Sequence, residues 1–415
     1  MNKKKILFVS YGGGHIELIK TIIDNAIDFE KYEVDLLALT VAYDKIENSK
    51  INKYRISDFA YLFNEEMTLI NKYGTELLEE NFNPNSKMPI SEIVFYLGVS
   101  YLDLVNEFGE MQAHKLYKSK KRQSFNPKQT LKRIIKHLSP DFLFTTNSPR
   151  MESASIYAAK ELNIPSIQIL DLFGDDYPIP SADFIIVMNE FVKNKLEISG
   201  IDKNILALGQ PIFDKTISEV SKIDIESLRE NFGYQGSDRI ILFCPTPYYY
   251  WNDDLSVKGI GDQKLINVPM FKILENLCAK FGVKIILRPH PVSDSIENYK
   301  EYLVKSNFIK HYSDLSLFQS LAISDVILTY NSTIALQAAV CNKHVFTYNY
   351  DENQKYFWDN YRVEPFIYSN NYIDLEKNLM NYFIKNSTQK FNEKFYEFGA
   401  HERISNFINN ILWNS

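Results

Sequence analysis

The chain has 415 residues, more than one ordinary core accommodates, so two domains are expected. Its 45% hydrophobic and 24% charged residues are those of a globular enzyme, and a net charge of −6 argues against a nucleic-acid binder, which would carry a basic domain. Three scattered cysteines, Cys244, Cys278 and Cys341, read as free thiols of a reducing, cytoplasmic compartment, and no stretch approaches the roughly 20 apolar residues of a membrane span.

Residues 5–10 (KILFVS) are short, β-branched and apolar, which predicts a buried parallel strand. The glycines that follow break the apolar run too early for a signal peptide. Over 15–28 the apolar residues Ile16, Ile19, Ile22, Ile23, Ala26 and Ile27 recur at helical spacing, and 33–40 is a second strand, so the chain opens on a βαβ unit. From about 44 to 140 the pattern is helical, irregular and rich in aromatics, a helical insertion in the first domain. Strands follow at 141–146, 166–170, 183–188 and 205–208, with a helix at 152–162. Gly209, Gln210 and Pro211 form an interdomain turn. A second alternating series places strands at 239–244, 283–287, 325–330 and 344–348, and helices at 268–281, 295–305, 315–323 and 333–340. Alternation of this kind predicts an α/β protein of two doubly wound, Rossmann-like domains. The first is expected over 1–210 and the second over 211–380, with C-terminal helices over 381–415 packing back on the first.

Five motifs sit where such sheets place ligands, at the carboxyl ends of strands. Tyr11-Gly12-Gly13-Gly14-His15 joins the first strand to the first helix. Its glycines admit close backbone approach, the helix start offers free amides, and His15 there suits a general base. The spacing is not that of a dinucleotide fingerprint. The bland alternative is a tight turn with a surface histidine. Arg288-Pro289-His290-Pro291 brings two cations, held by prolines, which suits a phosphate or diphosphate; the alternative is a basic turn. Asn331, Ser332 and Thr333 are N-cap residue types, and capping and anion binding use the same amides. Gln337, one turn further, is within reach of a ribose diol. In Cys244-Pro245-Thr246-Pro247, Thr246 is a candidate phosphate ligand, and Tyr248 to Trp251 either stack on a ligand or fill an interface. Asp171, Asp175 and Asp176 offer an alternative base or a Mg²⁺ cluster, against a solvated acidic loop. A basic run at 115–122 (Lys115, Lys118, Lys120, Lys121, Arg122) is either a solvated helix face or a contact with an anionic membrane.

In this order and spacing the motifs resemble the GT-B glycosyltransferase superfamily over about two thirds of the chain. The Gly13-Gly14-His15 loop is similar to the glycine-rich loop of the N-acetylglucosaminyltransferase that makes the peptidoglycan lipid precursor, and to that of UDP-sugar hydrolases. Gly209 to Pro211 with Asp214 resembles the interdomain stretch of UDP-N-acetylglucosamine 2-epimerases, although the epimerase start is absent. The runs ILFCPTP, LRPHP and TYNSTIALQAA resemble the donor half of CDP-glycerol glycerophosphotransferases and bacterial capsule transferases. The resemblance implies two domains facing across a cleft, with His290, Ser332 and Thr333 on the donor phosphate. It implies an inverting, metal-independent sugar transferase that needs no cofactor. Such an enzyme takes a UDP- or CMP-sugar donor and a glycan or lipid-linked acceptor of a bacterial surface polymer. A hydrolase or epimerase, a CDP-glycerol-type polyol-phosphate transferase and an inactive nucleotide-binding scaffold stand as alternatives. A donor ribose in this superfamily often meets Glu, where this chain has Gln337.

Overall fold

Burial on both faces makes the first strand, β1 (Lys4–Ser10), the organiser of its sheet. Ile6 and Phe8 enter one core, Leu7 and Val9 the other, and all four are fully buried. The computed structural model describes residues 3–83, 87–174, 182–201, 204–247, 249–251, 257–290, 294–330, 332–349, 359–362, 364–385 and 395–413. The chain divides into two units, Met1–Asp214 with Glu397–Ser415, and Lys215–Tyr396.

In the first unit β1 is joined by β2 (Tyr32–Ala38), β3 (Ile51–Tyr54), β4 (Phe142–Thr145), β5 (Ser166–Ile169), β6 (Phe184–Ile186) and β7 (Asn204–Leu206). All pairings are parallel, in the order β3-β2-β1-β4-β5-β6-β7. Strand β3 corrects the expectation of an all-helical insertion from residue 44. It is an edge strand with one buried side chain, Ile51, so it lacks the apolar run that marks its neighbours. One sheet face is covered by the helix Gly14–Ala26 and by Ile404 and Ile408 of the helix Ala400–Trp413. The other is covered by the insertion, through its helices Met67–Asn81, Ile90–Phe108 and Lys128–Leu138. On the helix Glu110–Lys120 and just beyond it, Lys115, Lys118, Lys120 and Arg122 are exposed, while Lys121 pairs with Glu80. Among the described residues no helix is long and apolar enough to cross a membrane.

One buried acid in the insertion yields a stability test. Asp103 accepts from the Thr130 amide (2.9 Å), in the first turn of Lys128–Leu138. Burial pushes its pKa up to about 6 from an ordinary 3.8, against the pull of the amide bonds and Arg133. The folded state therefore holds this proton more tightly than the unfolded chain does. Stability should fall as pH rises from about 4 to about 6, by on the order of 3 kcal/mol from this group. Thermal melts over that range should show wild type losing ground to Asp103→Asn as pH rises. A wild type that gains on the variant would overturn the assignment.

The second unit holds β8 (Ile240–Cys244), a hairpin of β9 (Tyr249–Trp251) and β10 (Val257–Ile260), then β11 (Lys284–Leu287), β12 (Ile309–Lys310), β13 (Val326–Thr329), β14 (His344–Tyr348) and β15 (Phe366–Ser369). Apart from the antiparallel hairpin these form one parallel sheet, ordered β12-β11-β8-β13-β14-β15. The aromatic stretch expected as a loop thus contains a hairpin. The helix expected at 295–305 is a 3₁₀ turn, Ile296–Tyr299, followed by Lys300–Lys305. The tail expected over 381–415 is not one piece: Tyr372–Lys385 belongs to the second unit and Ala400–Trp413 to the first.

Candidate active site

Both sheets reverse their strand order once, and ligands in open α/β sheets bind at the carboxyl ends of the strands on either side of that reversal. In the first unit the reversal lies between β1 and β4. The loop after β1 carries Tyr11 to His15, and the segment after β4 carries Thr146 to Glu152. Gly13, at φ 72° and ψ −141°, occupies the N-cap position of Gly14–Ala26, in a conformation that only glycine adopts at little cost. His15 then falls in the first turn of that helix, half-buried.

His15 Nδ1 lies 2.7 Å from Thr146 Oγ1, and the Thr146 hydroxyl donates to Glu152 Oε2. Glu152 is fully buried and also accepts from the Tyr11 amide (2.7 Å) and the Ser148 amide (3.1 Å). Tyr11 meets Tyr96 hydroxyl to hydroxyl at 2.9 Å, and the Arg150 guanidinium stands 4.7 Å over the Tyr11 ring. Burial, then the neighbouring Tyr96, pushes the Tyr11 phenol well above its ordinary range, so it stays neutral. Asp171 follows β5, the strand next to β4, and its amide donates to Asn147 Oδ1 (3.0 Å). Burial raises its pKa, while the charge of His15 lowers it, which places the two candidate bases in one electrostatic neighbourhood. Asp175 and Asp176 lie outside the described residues.

In the second unit the reversal lies between β8 and β13, with β11 on the far side of β8. Three of the expected loops therefore leave three adjacent strands. Thr246 follows β8 and is half-buried between two prolines; Arg288 and His290 follow β11; Ser332 and Thr333 follow β13. The Arg288 amide donates to Phe243 O (2.9 Å), which ties its loop to the end of β8. Its guanidinium is partly structural: Nη1 donates to Leu315 O (2.7 Å) and reaches Ser320 Oγ at 3.4 Å. His290 and Thr333 are exposed. Ser332 takes the N-cap backbone position of Thr333–Val340 without a side-chain cap hydrogen bond, which corrects the capping expectation. Gln337 donates from Nε2 to Thr216 Oγ1 at 3.4 Å, so that nitrogen is directed at the buried Thr216. Asn331 lies outside the described residues.

Sequence reasoning missed Thr146, Glu152, Tyr96 and Arg150. Thr146 was within reach of the rule that found His15, since it directly follows a strand. Glu152 reads in sequence as an ordinary first-turn helix acid. Tyr96 gave no sign, because it sits in the insertion, far along the chain.

The sequence model of the CDP-glycerol:poly(glycerophosphate) glycerophosphotransferases matches residues 174–412. The chain belongs to this family. The match covers the second unit and the helix Ala400–Trp413, but not the His15 cluster. A teichoic acid glycerol-phosphate primase of Bacillus subtilis (strain 168) is 25% identical over 173 residues, which is 41% of this chain and 40% of that protein. The chain thus matches about two fifths of that relative's length. Among solved structures, UDP-GlcNAc 2-epimerase from Methanocaldococcus jannaschii superposes with a TM-score of 0.56 at 15% identity, covering 98% of this chain and 99% of that one. S. aureus MnaA, in its structure with UDP, gives 0.58 at 13% identity, covering 99% and 97%. The wall teichoic acid polymerase TagF gives 0.51 at 16% identity, covering 99% and 90%. At these identities the likeness is one of fold, and that fold is of the GT-B class. Family membership supports a transferase with a nucleotide-activated donor and lends no specific support to hexosyl or sialyl transfer.

Proposed function

We propose that the protein transfers glycerol phosphate from CDP-glycerol to a hydroxyl group of a surface-polymer acceptor, with release of CMP. The observation that carries this reading is that the family match covers the unit whose adjacent strand ends present Arg288, His290, Ser332 and Thr333. Cationic side chains, hydroxyls and an uncapped helix start are complementary devices for a diphosphate. The acceptor R–OH loses its proton to His15. Its oxygen forms a bond to the glycerol-bearing phosphorus, and the bond from that phosphorus to the bridging oxygen breaks. The electron pair leaves on CMP, and the products are R–O-phosphoglycerol, CMP and the proton held by the base. The exposed basic residues at 115–122 fit an acceptor carried on an anionic lipid surface.

A donor panel tests the reading. The protein is incubated with CDP-glycerol, UDP-N-acetylglucosamine or CMP-sialic acid and a lipid-linked glycerol phosphate acceptor, with and without a chelator. CMP release and acceptor extension are expected with CDP-glycerol alone. They should persist in chelator, since cations and helix amides at the strand ends do the charge stabilisation a metal would otherwise supply. Turnover of a UDP- or CMP-sugar in place of CDP-glycerol would restore the sugar-transferase reading. Loss in chelator, regained with Mg²⁺, would give Asp175 and Asp176 a role in metal binding.

A further inference from the structure

We propose that Thr146 and Glu152 are positioning residues that hold His15 as its Nδ1–H tautomer and so leave Nε2 as the proton acceptor. The inference rests on His15 being the base and goes on to say which atom accepts the proton and what fixes it there.

Three donors converge on Glu152, the Tyr11 amide, the Ser148 amide and the Thr146 hydroxyl, which is the pattern of an ionised carboxylate that only accepts. Thr146 has a single hydroxyl hydrogen, and it is committed to Glu152. Its oxygen therefore faces His15 Nδ1 as an acceptor, at 2.7 Å, and Nδ1 must carry the hydrogen. The bond made by one ring nitrogen of histidine sets the state of the other, so Nε2 is left with its lone pair. When Nε2 takes a proton, the buried charge of Glu152 lies one hydroxyl away from the imidazolium. Asp171 adds a second carboxyl that senses His15, and Arg150 supplies the opposing charge over Tyr11. The chain is fixed at both ends. Its carboxylate belongs to the helix Met151–Glu161 after β4 and its imidazole to the helix after β1, so the two strands flanking the reversal hold the base between them.

Glu152 also braces two backbone segments, so removing it mixes positioning with folding. Thr146→Val cuts only the chain, because the Tyr11 and Ser148 amides keep their acceptor. Thr146→Ser restores the hydroxyl. Nitrogen-15 NMR of histidine-labelled protein reads the two ring nitrogens of His15 directly and needs no turnover. The wild type and Thr146→Ser should show neutral His15 protonated at Nδ1, whereas Thr146→Val should shift the population towards Nε2–H. In CMP release from CDP-glycerol, Thr146→Val should lose roughly 10–100-fold in kcat with little change in KM, and Thr146→Ser should recover to within a few-fold. Neutral His15 protonated at Nε2 in the wild type would overturn the proposal, as would a Thr146→Val protein that keeps both the Nδ1–H form and its kcat. If His15→Ala keeps the rate, the base assignment falls and the positioning role with it. If His15→Ala loses the rate and Thr146→Val does not, only the positioning role falls.

Discussion

His15→Ala is expected to lower kcat for glycerol phosphate transfer by ~10²–10⁴-fold, the usual span for a general base, and to leave donor binding almost unchanged. The split follows from where the residue sits. His15 stands in the first unit, bonded to Thr146, while the groups assigned to the donor diphosphate are on strand ends of the second unit. A residue that acts only on the acceptor hydroxyl contributes to the transition state and not to donor affinity. The fold should tolerate the change, because His15 is half-buried and loses one hydrogen bond, worth about 1 kcal/mol. Single-turnover release of CMP, with donor affinity measured separately by calorimetry, separates the two effects. A variant that retains the wild-type rate would move the assignment to Asp171. That carboxyl is held up in pKa by burial and already sits in the field of His15, and Asp171→Asn is the variant to make next.

Ser332→Ala and His290→Ala are each expected to weaken the binding of CMP and CDP by about 10–100-fold, and the double variant should lose less than the product of the two. Charge-assisted hydrogen bonds contribute roughly 1.5–3 kcal/mol, which sets the size of the effect. The shortfall from additivity follows if both residues contact one phosphate group. The strand order supports that convergence: β11 and β13 are the two neighbours of β8, so their carboxyl-end loops flank the same crevice. Arg288 is the poorer probe, since its guanidinium also holds Leu315 O and Ser320, and its loss would disturb the start of the helix Leu317–Ile323 as well as any ligand. Calorimetry with both nucleotides reads the outcome. Wild-type affinity in both single variants, with folding intact, would remove the donor site from this unit.

The central strands were legible because each is buried on both faces and must be a continuous apolar run; the run at 5–10 appears as Lys4–Ser10 and that at 344–348 as His344–Tyr348. The edge strands β3 and β12 escaped for the converse reason, although the edge strand β7 was expected at 205–208. Tyr54 of β3 and Lys310 of β12 are not fully buried, and a strand paired on one side needs no apolar run. The rule that ligands gather at strand ends pointed to His15, Asp171, Arg288 and Ser332 as candidates without reference to their contacts. It could not point to Glu152, whose link to His15 runs through Thr146 and exists only because the sheet sets β1 beside β4. Gln337 shows the opposite failure. Its helix position was right, but sequence spacing does not reveal Thr216, which claims its amide nitrogen.

The helix Ala400–Trp413 closes the core that β1 and the helix Gly14–Ala26 begin: Ile404 and Ile408 share a buried cluster with Ile16, Ile19 and Ile23, and Trp413 donates to the Tyr32 hydroxyl. During synthesis on the ribosome that cover arrives only after the whole of 215–396 has been made. The first unit starts the chain yet finishes after the second, and until then its isoleucine-lined helix has one face open to water and to chaperones. A ribosome that stalls anywhere in the second unit releases a product with that greasy face uncovered, and such a surface is what cellular proteases and holdases recognise.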